Sequence, residues 1–411
     1  MCRRACFLVS LVFLLLVPVQ ASPCLKPSQK PAQLVADITK KGGDPAKYVY
    51  QEFPGPRGNE TAWLVAYDHE PQRSLFIREA FFRPGPNKQF IKVLGVSGIA
   101  DIYVPYARKT ADGRWMKYWD IKSGYGPLMS ISPGDAGGCG DLLEPVVARE
   151  VRDRGFLWRK EKIGRRGYEL VIWGSQNAAN YDYVILYHFL DDGTVQFRFG
   201  PTSRNYPEAE RLVHLHTAIW RAGVELDDGQ PGGGRNTVHV MKYVESSGEP
   251  DPKATVRMEL FNGGKEGSVD WDPRSFTGIM VHSDKLRNAN GKHTSVHVAA
   301  HFPGIVRHVG NDPKEAFSLG TYWVTVTKSA EFRAHQLATY ADGESIIGVK
   351  STVWVQTPIL HVPRDEDGRC SVPMTEFGCP RTGLWEGVAL VHLAGIDLMP
   401  KNLFDRTPFY K

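Results

Sequence analysis

From about residue 50 onward, short apolar runs are separated by clusters of Gly, Pro, Asp and Asn. The runs RGYELVIWG (166–174), YDYVILYHFL (181–190), TVQFRFG (194–200), TVHVMKYV (237–244), SVHVAAHF (295–302), TYWVTVTK (321–328) and STVWVQTPIL (351–360) are rich in Val, Tyr, Trp and Thr. Several alternate apolar with polar positions. A period of two places every second side chain on one buried face, so these segments are predicted strands. Asp191-Asp192-Gly193 joins two of them as a tight hairpin. A glycine-rich stretch, Asp227 to Asn236, lacks the spacing and the following helix of a phosphate cradle and reads as a flexible linker. Helical periodicity is scarce, with one short helix expected around Pro31 to Lys41. No repeat at a fixed period stands out. The expected fold is mainly β: a large antiparallel β-sandwich in one domain over residues 51–411, preceded by an arm at 22–50.

The N-terminus breaks this pattern. Arg3 and Arg4 precede the apolar run Phe7 to Val17, and Val19-Gln20-Ala21 suits cleavage after Ala21. That is the pattern of a secretory signal peptide, too short to span a bilayer, so residues 1–21 are set aside. The mature chain is expected to be secreted, into the periplasm or outside the cell, with no membrane span. Of six cysteines, Cys2 and Cys6 lie in the leader and Cys24, Cys139, Cys370 and Cys379 remain. In an oxidising compartment these can pair in more than one way; Cys370–Cys379 with Cys24–Cys139 is the first expectation. Asn59-Glu60-Thr61 is a glycosylation sequon, meaningful only in a host that uses it. The net charge of +5 comes from basic residues scattered among acidic ones. No basic tract interleaves with aromatics, which argues against a nucleic-acid partner.

The candidate chemistry begins with NAANYDYVILYHF, Asn177 to Phe189, where Tyr181 stands between Asn180 and Asp182. Taken alone, a tyrosine at a strand entry bracketed by turn-forming residues is ordinary. His214-Leu215-His216 puts two imidazoles on one face of a strand, half of a metal site. Among 13 histidines such a pair also arises by chance. His293, His297 and His301 share a face by the same argument and read as surface or core histidines. His361 follows a predicted strand and precedes a proline turn; alone it is a loop histidine.

Taken in order, these segments resemble the catalytic domain of the copper amine oxidases, the quinone-dependent primary-amine oxidases. YVPYA (103–107) resembles the block with a cofactor-bonding tyrosine, here Tyr106, and RWMKYWDIKSGYG (114–126) the block with the catalytic base, here Asp120. The Tyr106–Asp120 gap equals the usual family gap. NYDY matches the signature around the cofactor tyrosine, here Tyr181. HLH matches the paired copper ligands, and HVPRDED (361–367) the block with the third, with Trp354 where the family has a strand tryptophan ahead of it. LFDRTP (403–408) resembles the closing motif. Each block is weak alone; their joint order over residues 60–411 carries the likeness.

The resemblance implies a Cu(2+) ion on His214, His216 and His361, and topaquinone made in place from Tyr181. Imidazole suits copper, and a nearby divalent ion favours the phenolate that reacts with dioxygen. It implies that a primary amine forms a Schiff base at the modified Tyr181 and that Asp120 removes the α-proton. Aldehyde, ammonia and hydrogen peroxide are then released. To act near neutral pH, Asp120 needs a pKa raised by burial. Tyr106 would hydrogen-bond the cofactor, Asn180 would limit its tilt, and Tyr125 would line the amine channel. A homodimer is expected by the same likeness. The alternative is a catalytically silent, secreted metal-binding sandwich acting in adhesion or amine binding.

Some features depart from the family pattern. Asn177 stands where a threonine or serine is usual. The acidic element after the base is displaced, with Lys122 and Ser123 in its neighbourhood. The usual offsets for a peripheral calcium site fall on Gly223, Glu225 and Lys350; a lysine cannot ligate calcium, so none is expected there. No cysteine follows Cys139 at the distance of the usual disulfide. Relatives carry small α/β domains before the catalytic sandwich; here only the short arm at 22–50 is expected ahead of it, so the channel mouth is expected to be lined differently.

Overall fold

The computed structural model describes residues 24–54, 60–71, 73–121, 127–137, 140–160, 163–179, 181–203, 212–231, 233–243, 256–301, 313–328, 333–362 and 392–405. Residues 1–23, the sequon Asn59, Asn180, Tyr125, Cys139, Cys370 and Cys379 lie outside them, and with them the expected cleavage site and both expected cysteine pairings. Cys24 is disulfide-bonded.

The chain weaves between two antiparallel sheets. Helix α1 (Ala32–Lys40) comes first, within the predicted segment, and buries Ile38 against Tyr50, Ala62 and Leu64. Strands β1 (Tyr48–Phe53), β2 (Thr61–Glu70), β3 (Ser74–Arg83), β4 (Ile91–Lys109) and β5 (Trp115–Trp119) start the first sheet. Strands β6 (Gly140–Glu144), β7 (Val147–Lys160), β8 (Ile163–Ala178), β9 (Tyr181–Leu190) and β10 (Val195–Ser203) start the second. β11 (His214–Asp227) returns to the first sheet, while β12 (Asn236–Tyr243) and β13 (Val256–Leu260) go to the second. β14 (Gly267–Val269), β17 (Tyr322–Val326) and β19 (Ser351–His361) complete the first sheet. β15 (Gly278–Arg287), β16 (His293–His301), β18 (Ile347–Val349) and β20 (Ala394–Lys401) complete the second. Each of the seven runs singled out in the sequence contributes its described central residues to a strand (β8, β9, β10, β12, β16, β17 or β19), because their alternation gives each sheet one apolar face. Those faces meet in one large core that includes Trp63, Phe82, Tyr187, Phe197 and Trp220.

Two local features bear on the site. The β9–β10 hairpin closes through Asp191–Gly193 as expected, with Leu190 N–H donating to Thr194 O at 2.9 Å. The glycine-rich stretch expected to be a linker, described at 227–231 and 233–236, carries side-chain hydrogen bonds. It leads the chain from the first sheet to the second, and Asp227 Oδ1 accepts from Gly229 N at 2.8 Å while Asn236 Nδ2 donates to Val224 O at 3.0 Å.

Candidate metal centre and its acid–base neighbour

The register of three strands builds the site. Tyr106 on β4 lies opposite His214 on β11, and His214 lies opposite His361 at the end of β19. His216, two residues on, shares the His214 face by strand periodicity. The three imidazoles are buried, at 3%, 0% and 7% exposure, which removes water as a competing partner. Their ligand nitrogens all fall within 4.8 Å of one another. His214 Nε2 and His361 Nδ1 are 3.2 Å apart.

Hydrogen bonds set which nitrogens can take a metal. His214 Nδ1 stands 2.7 Å from the Leu212 carbonyl, so it carries the proton and Nε2 keeps its lone pair. His216 Nδ1 is 2.7 Å from the Tyr183 hydroxyl, and that hydroxyl donates to Asp120 Oδ2 at 2.5 Å. A hydroxyl has one proton. With it given to the Asp120 carboxylate, His216 must donate through Nδ1, and Nε2 again keeps its lone pair. That Nε2 is buried and finds no hydrogen-bond partner among the described residues. Burial holds both imidazoles neutral: His214 is pushed down to about 4 and His216 well below the ordinary range. Two tautomers with inward lone pairs and a third imidazole fit a copper or zinc ion.

Tyr181 enters from the other sheet. Its hydroxyl is 3.0 Å from His214 Nε2, and its ring stands edge-on to His216 at 4.6 Å between centroids. Tyr106 stacks on His214 at 4.4 Å. Its hydroxyl is held protonated by burial first, then by the neighbouring Tyr181, Asp120 and Tyr118, and it shares a hydrogen bond with Tyr181. Two residues before Tyr181, Ala179 has φ 66, a conformation costly for a non-glycine residue. Asn177 Nδ2 donates to Asp182 Oδ1 at 3.1 Å, tying the two strands together at the turn.

Asp120 follows β5 directly, and its N–H donates to Ile102 O at 2.8 Å. At 6% exposure its carboxyl is raised to about 7 by burial, against the lowering effect of the Tyr183 hydroxyl. The structure thus brings Tyr106, Asp120, Tyr181, His214, His216 and His361 together. Two further residues belong here that sequence reasoning missed. Tyr183 joins the carboxylate to the metal-side imidazole; its signal was the alternation that puts it on the Tyr181 face. Asp101, buried and raised to about 8, accepts from the N–H of Ile102 at 2.9 Å and of Ile121 at 3.3 Å. It braces the segment that carries Asp120.

Solved structures decide the fold. The chain matches the lysyl oxidase of Pichia pastoris (TM-score 0.64, 17% identity, 84% of this chain and 51% of that one). It also matches a copper-containing benzylamine oxidase from Hansenula polymorpha (0.63, 17%, 84% and 59%) and an amine oxidase from Aspergillus nidulans (0.65, 14%, 95% and 56%). This is the fold of the copper amine oxidases. The chain spans between half and three-fifths of those structures, and no family model matches its sequence.

At the position counted for peripheral calcium, Lys350 Nζ is 3.1 Å and Lys92 Nζ 3.2 Å from Glu225 Oε2. A second trio close enough to share an ion, Glu266, Asp342 and Glu344, is already engaged by Lys328 and by backbone N–H groups donating to Glu266.

Proposed function

We propose that this chain is a copper-dependent oxidase of primary amines, taking amine, dioxygen and water to aldehyde, ammonia and hydrogen peroxide, with Tyr181 the precursor of topaquinone. The observation that carries the reading is the Tyr181 hydroxyl, 3.0 Å from Nε2 of His214 within a trio of buried imidazoles. His214, His216 and His361 would hold the copper. When bound, copper supplies the Lewis acidity and redox chemistry that oxidise the phenol, and the resulting quinone supplies an electron sink for the amine.

The remaining work falls to the chain. Asp120 takes the proton from the amine α-carbon. A carboxyl at about 7 is half ionised at neutral pH, where a general base is effective without holding its proton too tightly. Tyr183 keeps that carboxylate oriented and, through the same hydroxyl, fixes the His216 tautomer. Tyr106 packs the far side of His214 and hydrogen-bonds the Tyr181 ring oxygen. Asn180 and Tyr125 keep their roles in the proposal, limiting ring tilt and lining the channel. Secretion and a homodimer complete it.

The test is to load metal-free protein with copper in air, then apply a redox-cycling quinone stain and measure peroxide release with a panel of mono-, di-, poly- and aromatic amines. Wild type is expected to stain, and Tyr181→Phe to bind copper without staining. A copper-loaded wild type that stays unstained in air removes the oxidase reading and leaves a silent metal-binding sandwich.

A further inference from the structure

We propose that the outer face of the second sheet carries a separate site for monovalent copper, built from His239, Met280 and His282 with His297 and Met399 beside them. The register draws one row across five strands. Leu260 on β13 is opposite His239 on β12, His239 is opposite Met280 on β15, Met280 is opposite His297 on β16, and His297 is opposite Met399 on β20. Imidazole and thioether therefore alternate across four adjacent strands. Their sequence neighbours Val238, Val240, Ile279, Val281, Val296 and Val298 are in the core, so the row faces away from it. It is also on the opposite side of the sheet from Tyr181.

Directly opposite residues on antiparallel strands have Cβ atoms about 4.5–5.5 Å apart, a spacing from which two side chains can converge on one ion. His282, two residues beyond Met280, closes the group. Its ring stands edge-on to His239 at 4.9 Å between centroids. Nε2 of His282 and Nε2 of His297 are buried and find no hydrogen-bond partner among the described residues. Buried polar nitrogens are normally bonded, so the His282 nitrogen, within the group, needs a partner. Gly278 seats the His297 ring: a Cβ there would lie 2.3 Å from His297 Nε2, on the side of Met280 away from His282, so His297 flanks the group and does not close it. Burial lowers the pKa of all three histidines, so each offers a lone pair at neutral pH.

The donor set chooses the ion. Thioether and imidazole are ligands for soft monovalent copper, whereas calcium and magnesium need oxygen. The charge around the row fits a monocation better than a dication. Asp284 and Asp397 are near, but Lys401, opposite Ser295 one row away, opposes any cation. Next to the row, Met241 lies opposite Met258, which is 38% exposed, so soft ligands continue to the solvent edge. The inference is independent of the amine-oxidase reading, because it uses none of its residues.

The full chain is titrated anaerobically with Cu(I) against the chromogenic competitor bicinchoninate, and methionine methyl groups are followed by 13C NMR. In a His216→Ala/His361→Ala background, which disables the interior cluster, one equivalent of Cu(I) is expected to remain and to shift the Met280 methyl. Adding Met280→Leu, a volume-conserving change, is expected to weaken binding by roughly tenfold or more. His239→Asn with His282→Asn is expected to abolish it. Unmoved methionine methyl signals in the wild-type chain, or Met280→Leu binding as tightly as its parent, overturn the proposal.

Discussion

Tyr183→Phe removes one oxygen from the middle of a buried chain that runs from His216 Nδ1 to Asp120 Oδ2. The lost contact is a hydrogen bond to a charged acceptor, which contributes about 1.5–3 kcal/mol. It favours the ionised carboxylate, so its loss moves Asp120 upward, in the same direction as burial. At about 1.4 kcal/mol per pH unit the shift is about 1–2 units, taking Asp120 from about 7 to about 8–9. The ionised fraction at pH 7 then drops from about a half to between about 10% and about 1%. In copper-saturated enzyme, kcat/KM at pH 7 should fall about 5–50-fold and largely recover by pH 10. The assay is the pH profile of kcat/KM for a primary amine that wild type oxidises, normalised to bound copper. The expected signature is an acidic limb displaced to higher pH. A limb that coincides with that of wild type refutes the coupling of Tyr183 to the base, whatever happens to the absolute rate.

His361→Ala removes one of three imidazoles contributed by two strands; isothermal titration should show copper affinity falling by more than the ~10–100-fold typical of outer-shell changes. Asp101 and Asp120 have folded pKa values of about 8 and about 7, above those of the unfolded chain, so both favour folding below pH 4 and that contribution is lost as pH rises through their folded values. Asp101→Asn, which cannot ionise, should therefore gain stability relative to wild type between pH 5 and 9, read as the difference in urea midpoints; a constant difference across that range contradicts the assignment. Because Lys350 and Lys92 already neutralise Glu225, EGTA should leave the melting temperature unchanged, and a drop reversed by calcium would show a site there.

Strand identity and facing were legible in the chain itself. A period of two is local, so the alternation in 181–190 was enough to place Tyr181, Tyr183 and Tyr187 on one buried face, and H-x-H to align His214 with His216. The short helix near Pro31 and the Asp191–Gly193 hairpin followed from equally local chemistry. In the glycine-rich stretch after β11, glycine content is visible in sequence, whereas the carboxylate and amide hydrogen bonds of Asp227 and Asn236 depend on the folded path. Partnership across distance belongs to the tertiary structure. His361 lies 147 residues from His214, and only family likeness suggested the pair; the β11–β19 register makes them neighbours. No local signal linked Tyr183 to Asp120, which approaches from the opposite sheet, or set His239, Met280, His297 and Met399 in one row. Side-chain direction comes from the pleat of a single strand, but which residues meet is set by the register between strands, fixed only when all the apolar faces are buried together.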